Sequence, residues 1–132
     1  MRVVVDTNVV ISGVFFGGKP RRIIEAIADE RLYAYATPAI IDEYIEVVHE
    51  MLMRKQGKLH SDVLMWLVDR MTIFEPVSSV SVCRDPDDDK FIGCALDARA
   101  RYIISGDKDL LEVEEYQGVK IIAAHNFCQK YL

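Results

Sequence analysis

The stretch "RVVVDTN" at residues 2–8 is apolar and β-branched, too short for a helix, and ends abruptly in polar turn residues at Asp6. A run of that kind without polar alternation is a strand buried on both faces. The pattern returns in "LYAYAT" (32–37), "YIIS" (102–105) and "VKIIAA" (119–124), and "TIFEPV" (72–77) reads as a further strand that Pro76 ends. Between these runs the apolar spacing switches to the helical period. Residues 20–30 turn Ile23, Ile24 and Ile27 inward, and Thr37 caps a helix that starts at Pro38 and runs to about Arg54. After the break "KQGK", Ser61 opens a helix whose inner stripe is Val63, Leu64, Leu67, Val68 and Met71 around Trp66. A fourth helix spans about Asp87 to Arg101, "GDKD" is a polar turn, and a short last helix reaches Leu132. Alternating strands and helices imply right-handed crossovers, so the expectation is an α/β fold: a three-layer α/β/α sandwich on a mainly parallel, Rossmann-like sheet.

With 132 residues, 51% of them hydrophobic, the chain fits one domain over residues 1–132 with a real core. No apolar run approaches the roughly 18 residues of a membrane span, and Asp6 interrupts the N-terminal stretch before it could act as a signal-peptide core. The expectation is a soluble, cytoplasmic protein with no membrane partner. Cys83, Cys94 and Cys128 are odd in number and widely spaced, which argues against disulfides and zinc sites. His49, His60 and His125 are equally scattered, so a cysteine–histidine nucleophile has no support. A net charge of −5 opposes phosphate binding, unless surplus acids hold metal: two divalent cations would bring it to −1.

The acids are placed suggestively. In a parallel sheet, ligands bind beyond the carboxyl ends of the strands, where Asp6 follows the first strand and Asp107 follows "YIIS". On the helix from Pro38, Glu43 lies three residues from Ile40 and four from Val47, on the apolar face, whereas Asp42 stacks with Glu46 toward water. In "RDPDDDKF", Asp85 and Pro86 suit a turn and Asp87 and Asp88 suit capping. Asp89, three residues before Ile92, heads the buried stripe and is left for the sheet edge, although a shift of register would put Asp87 there instead. Four carboxylates in one cleft raise each other's pKa unless a cation sits among them, and no lysine or arginine has a comparable inward position next to all four. A hard divalent ion with oxygen ligands, Mg²⁺ or Mn²⁺, meets that need.

"VVVDTNVVIS", then an acid in the second long helix, then "DPDDDKFIGCALDARARYIISGDKDLL" resembles the PIN domain family over essentially the whole chain. Within it the chain resembles the small bacterial and archaeal proteins related to the VapC-type ribonucleases of toxin–antitoxin pairs. The resemblance implies metal-dependent endonucleolytic cleavage of RNA, leaving a 5′-phosphate and a 3′-hydroxyl. Asp6, Glu43, Asp89 and Asp107 match the family's four acidic positions, with one or two ions on the aspartates and Glu43 as ligand or through a water. Asn8 and Ser105 match polar positions that hold those carboxylates, and Asp109 matches a position usually acidic. The resemblance also implies an antitoxin partner and a homodimer; apolar surface around Tyr44, Val48, Leu52 and Trp66 suits such contacts, although burial in the core explains it equally well.

Lys19, Arg21, Arg22, Lys90 and Lys108 are the basic candidates for RNA phosphates, and Phe15, Phe16, Tyr33 and Tyr35 the aromatic ones for stacked bases. Haloacid-dehalogenase-like phosphatases also start with a strand ending in aspartate, but they need a second aspartate where this chain has Asn8. A receiver domain lacks its acidic pair here for a similar reason. The non-enzyme alternative is a PIN-like module that binds nucleic acid or protein without cleaving.

Overall fold

The computed structural model describes residues 1–54 and 61–132; the expected break at "KQGK" and His60 lie outside the described residues. Four strands, β1 (Arg2–Val5), β2 (Tyr33–Ala36), β4 (Tyr102–Ile104) and β6 (Val119–Ile122), form the centre of one sheet. Two short strands, β3 (Thr72–Ile73) and β5 (Glu115–Tyr116), close its edges, in the order β3-β2-β1-β4-β6-β5. Every pairing is parallel except the β5–β6 hairpin. That hairpin turns at Gln117 and Gly118, whose φ angles of 48° and 88° are the left-handed values a two-residue turn requires.

The helices are α1 (Thr7–Phe15), α2 (Gly18–Ala28), α3 (Pro38–Arg54), α4 (Ser61–Val68), α5 (Asp89–Ala98), α6 (Lys108–Val113) and α7 (Ala124–Tyr131). All of Val3, Val4 and Val5 are buried, as are Tyr102, Ile103 and Ile104, so the central strands are covered on both faces as three layers demand. Helix α5 lies across β1, β2, β4 and β6, while α2 packs on α1 and on α7.

Three expectations are corrected. "DTN" and "GDKD" are not plain turns, because each aspartate is the N-cap of a new helix, Asp6 for α1 and Asp107 for α6. The "TIFEPV" strand shrinks to Thr72–Ile73, since only these residues find a partner, on β2. Trp66 is not the centre of a buried stripe. Leu64, Leu67, Val68 and Met71 are buried, but the indole is 42% exposed and carries the Arg70 guanidinium 4.0 Å above its ring.

Candidate metal centre

Because β1 has β2 on one side and β4 on the other, the chain order reverses between β1 and β4, which is where such sheets open a crevice. The register pairs Val5 with Ile104, so the residues that follow each strand meet there. The Asp6 amide donates to the Ile104 carbonyl at 2.9 Å. The Ser105 hydroxyl donates to Asp6 Oδ2 at 2.7 Å and accepts the Asp107 amide at 2.9 Å. Asp107 in turn accepts the Asp109 amide on Oδ1 at 3.1 Å as the N-cap of α6.

Burial pushes the Asp6 carboxyl up to about 6; the Ser105 hydroxyl and the Thr7 amide oppose this, and the charges of Asp107 and Glu43 add to it. Helix α3 brings Glu43 over the same crevice, where the buried Thr7 hydroxyl donates to one of its oxygens. Its neighbour Tyr44 donates to the Val5 carbonyl, pinning α3 to the end of β1. A cleft of about 310 Å³ results, walled by six carboxylates: Asp6, Glu43, Glu46, Glu50, Asp88 and Asp107. Asn8 and Thr7 line it too. Glu46 and Glu50 had no signal toward the site, since helical phase set Glu46 beside Asp42 on the outer face. They follow Glu43 at three and seven positions, along the edge of α3 that borders the cleft.

The aspartate run delivers a different residue from the one its phase suggested. Asp85 accepts the Asp87 amide at 3.0 Å and caps a short 3₁₀ turn over Pro86–Asp88. The Asp89 carboxylate points away from the cleft, accepting the Val82 and Cys83 amides at 3.0 and 2.7 Å. Burial pushes its pKa up, but those amides outweigh it and hold the group below its ordinary value. Asp87 pairs with Lys90 at 3.0 Å. Asp88, at the N-cap position of α5 but making no capping bond, faces the cleft instead. Helical phase could not separate the two: Asp89 is three residues before Ile92 and Asp88 is four before it, and both spacings share one helix face.

Asp88 Oδ2 is shut from solvent and has no hydrogen-bond partner among the described residues. Burial, then a bond shared with Asp107, then the charges of Asp107, Asp6 and Asp85 push this carboxyl up to about 7. Oxygens of Asp88, Asp107 and Asp109 all lie within 4.8 Å of one another. An all-carboxylate donor set with one orphaned, solvent-excluded oxygen fits a hard divalent cation and does not fit a soft one.

The basic candidates divide. Lys90 is drawn toward one of the four expected acids, with its ammonium 2.7 Å from Glu43 Oε1, and its other partner is Asp87. Lys108 is exposed, between Asp107 and Asp109 in the chain. Lys19, Arg21 and Arg22 are not brought to the cleft: α1 starts beside it and carries the chain about 13 Å away before they appear. Arg21 donates to the carbonyls of Gly13 and Val14 at the end of α1, and Arg22 donates to Leu132 at 2.7 Å. Among the aromatic candidates, Phe16 and Tyr33 are exposed but line no part of the cleft. Arg84, which the sequence gave no reason to select, borders an adjoining hollow with Asp109 and Tyr116.

A family model described as PIN domain matches residues 2–109. The uncharacterized protein MJ1680 of Methanocaldococcus jannaschii is 35% identical over 130 residues, which cover 95% of this chain and 83% of that protein. Among the described residues no helix is long and apolar enough to cross a membrane.

Proposed function

Because the chain belongs to the PIN domain family, whose members are generally metal-dependent nucleases, we propose that it is a Mg²⁺- or Mn²⁺-dependent endoribonuclease. The observation that carries this reading is the orphaned Asp88 oxygen, enclosed in one cleft with Asp6 and Asp107. Asp6, Asp88 and Asp107 would hold the ion, with Glu43 beside them. Such an ion supplies an acidified water and stabilises the charge that builds on the phosphate during hydrolysis.

The protein's own groups set the stage for that chemistry. Ser105 fixes the rotamer of Asp6 and the loop of Asp107 with one hydroxyl, and Thr7 orients Glu43. Preorganised carboxylates lose little entropy when they take up a cation. Exposed Lys108, next to Asp107 in the chain, and exposed Arg84, which shares a hollow with Asp109, are suited to charge-assisted contacts with the RNA backbone outside the cleft. No covalent nucleophile is needed. The nearest thiol, Cys83, is pushed up to about 12 by burial and by its hydrogen bond to Asp89, so it stays protonated at neutral pH.

In the cell the reading extends to the toxin of a toxin–antitoxin pair, acting in the cytoplasm as one nuclease domain over residues 1–132. Ile45, Met65 and Trp66 on α3 and α4 leave exposed apolar side chains that suit a homodimer or an antitoxin segment. The decisive assay incubates the pure protein with labelled single-stranded RNA and Mg²⁺ or Mn²⁺, then with chelator, beside Asp6→Asn. Cleavage that both treatments abolish is the expected result. Activity that survives either one rejects the mechanism, and hydrolysis of small phosphomonoesters alone would point to a phosphatase.

A further inference from the structure

Lys90 occupies a position that a free surface lysine does not. Its ammonium has three protons, and three acceptors surround it: Glu43 Oε1 at 2.7 Å, Asp87 Oδ1 at 3.0 Å and the Asp87 carbonyl at 3.0 Å. The side chain is only 19% exposed, and that of Glu43 23%. The other Glu43 oxygen takes the Thr7 hydroxyl. Both oxygens of Glu43 are therefore engaged by the protein itself, whereas Asp88 Oδ2 is not engaged at all.

The acidic cleft is thus divided. On one side lie Asp6, Asp88 and Asp107, with no cation of their own among the described residues; on the other lies Glu43, already neutralised. Asp88 and Lys90 are two residues apart, so the same turn at the start of α5 supplies a carboxylate to the first side and a positive charge to the second. A second divalent ion at Glu43 would have to expel Lys90 and leave its charge, partly desolvated, with Asp87 alone. Two-metal centres hold their ions about 3.5–4 Å apart and depend on carboxylates free to serve both. Glu43 is not free.

We infer that Lys90 is a built-in cation standing in for a second metal ion at Glu43, so that the centre holds a single divalent ion on Asp6, Asp88 and Asp107. This rests on the nuclease reading and deepens it. It makes Lys90 a positioning residue of the metal centre and removes it from the set that binds RNA phosphates.

The test counts ions. Metal-free full-length protein is titrated with Mn²⁺, and bound ions per chain are obtained from the loss of the free-ion paramagnetic resonance signal. The unaltered protein and Lys90→Arg should each bind one. Lys90→Met keeps the aliphatic stem without the charge and should bind two, the second more weakly; adding Glu43→Gln to it should return the count to one. Glu43→Gln alone should keep one ion with affinity lowered by no more than about tenfold, against more than about a hundredfold for Asp107→Asn. Two ions on the unaltered protein overturn the inference, as does one ion on a Lys90→Met protein whose circular dichroism is intact, or loss of the ion from Glu43→Gln. No ion on the unaltered protein would instead remove the nuclease reading beneath it.

Discussion

Ser105 donates its hydroxyl proton to Asp6 Oδ2 across 2.7 Å from a position with no solvent exposure, at the end of the strand next to the one Asp6 follows. The Ser105 hydroxyl oxygen accepts the Asp107 amide. Replacing Ser105 with alanine takes one of its hydrogen bonds from the buried Asp6 carboxylate, which keeps the Thr7 amide, and takes the partner from the Asp107 N–H, a loss of about 1–3 kcal/mol. The Ser105 bond opposes the upward shift of Asp6, so the variant's Asp6 should also titrate higher. Urea unfolding checks the first effect, and carboxyl-carbon NMR of Asp6 the second. A variant as stable as the parent would mean that water replaces the hydroxyl.

Asp88 and Asp89 are adjacent, yet opposite outcomes are expected from their removal. Asp88→Asn should abolish metal-dependent cleavage while leaving the fold intact, since its solvent-shut oxygen makes no bond to lose. Asp89→Ala strips the partner from two amides and should destabilise by about 1–3 kcal/mol while turnover of the folded fraction survives. Paired measurements of melting temperature and cleavage rate separate them. The reverse pattern, with Asp89 essential to cleavage and Asp88 dispensable, would return Asp89 to the centre.

That pair also marks where the sequence stops being readable. Strand β1 could be read from periodicity alone, because burying Val3, Val4 and Val5 leaves one arrangement of apolar atoms. On α3 the buried stripe is Ile40, Ile41, Tyr44 and Val48, whereas Glu43 and Val47 of the expected face border the cleft instead. The ends of elements carry no such constraint. Which of three consecutive aspartates faces the cleft depends on a 3₁₀ turn and on where Val82 and Cys83 pass, both matters of tertiary packing. The short helices α1 and α6 were hidden for a related reason. Asp6 and Asp107 look like turn residues because an N-cap and a turn favour the same side chain. Lys90 carried no signal at all, since a lysine that folds back on a glutamate 47 positions earlier is indistinguishable in sequence from a solvated one.

Metal binding should be visible without any substrate. A ligand that binds only the folded chain stabilises it by about 2.7 kcal/mol at a hundred times its dissociation constant. For a chain of this size that is a rise in melting temperature on the order of 10 °C. Thermal melts with Mg²⁺ or Mn²⁺ should show it, chelator should reverse it, and Asp107→Asn should lose it. An equal rise with Na⁺ at matched ionic strength would reduce the effect to screening of the acids.

Acidity should act on the metal-free protein in the direction opposite to ordinary acid denaturation. Burial first, then neighbouring carboxylates, push Asp88 up to about 7, and burial above all pushes Asp6 up to about 6, from an ordinary value of 3.8. Between the ordinary and the raised values the folded chain holds protons that the unfolded chain has released, so stability falls as pH rises. The contribution of these two groups is fully present below about pH 4 and is lost as pH passes through 6 and 7. Asp88→Asn removes the larger part of that dependence. Its melting temperature should therefore equal that of the unaltered chain near pH 4 and exceed it at pH 8, and Mg²⁺ added at pH 8 should raise the unaltered chain far more than the variant. Melting curves that stay parallel from pH 4 to 8 would show that Asp88 is not strained by its neighbours, and the case for a cation between them would lose its energetic basis.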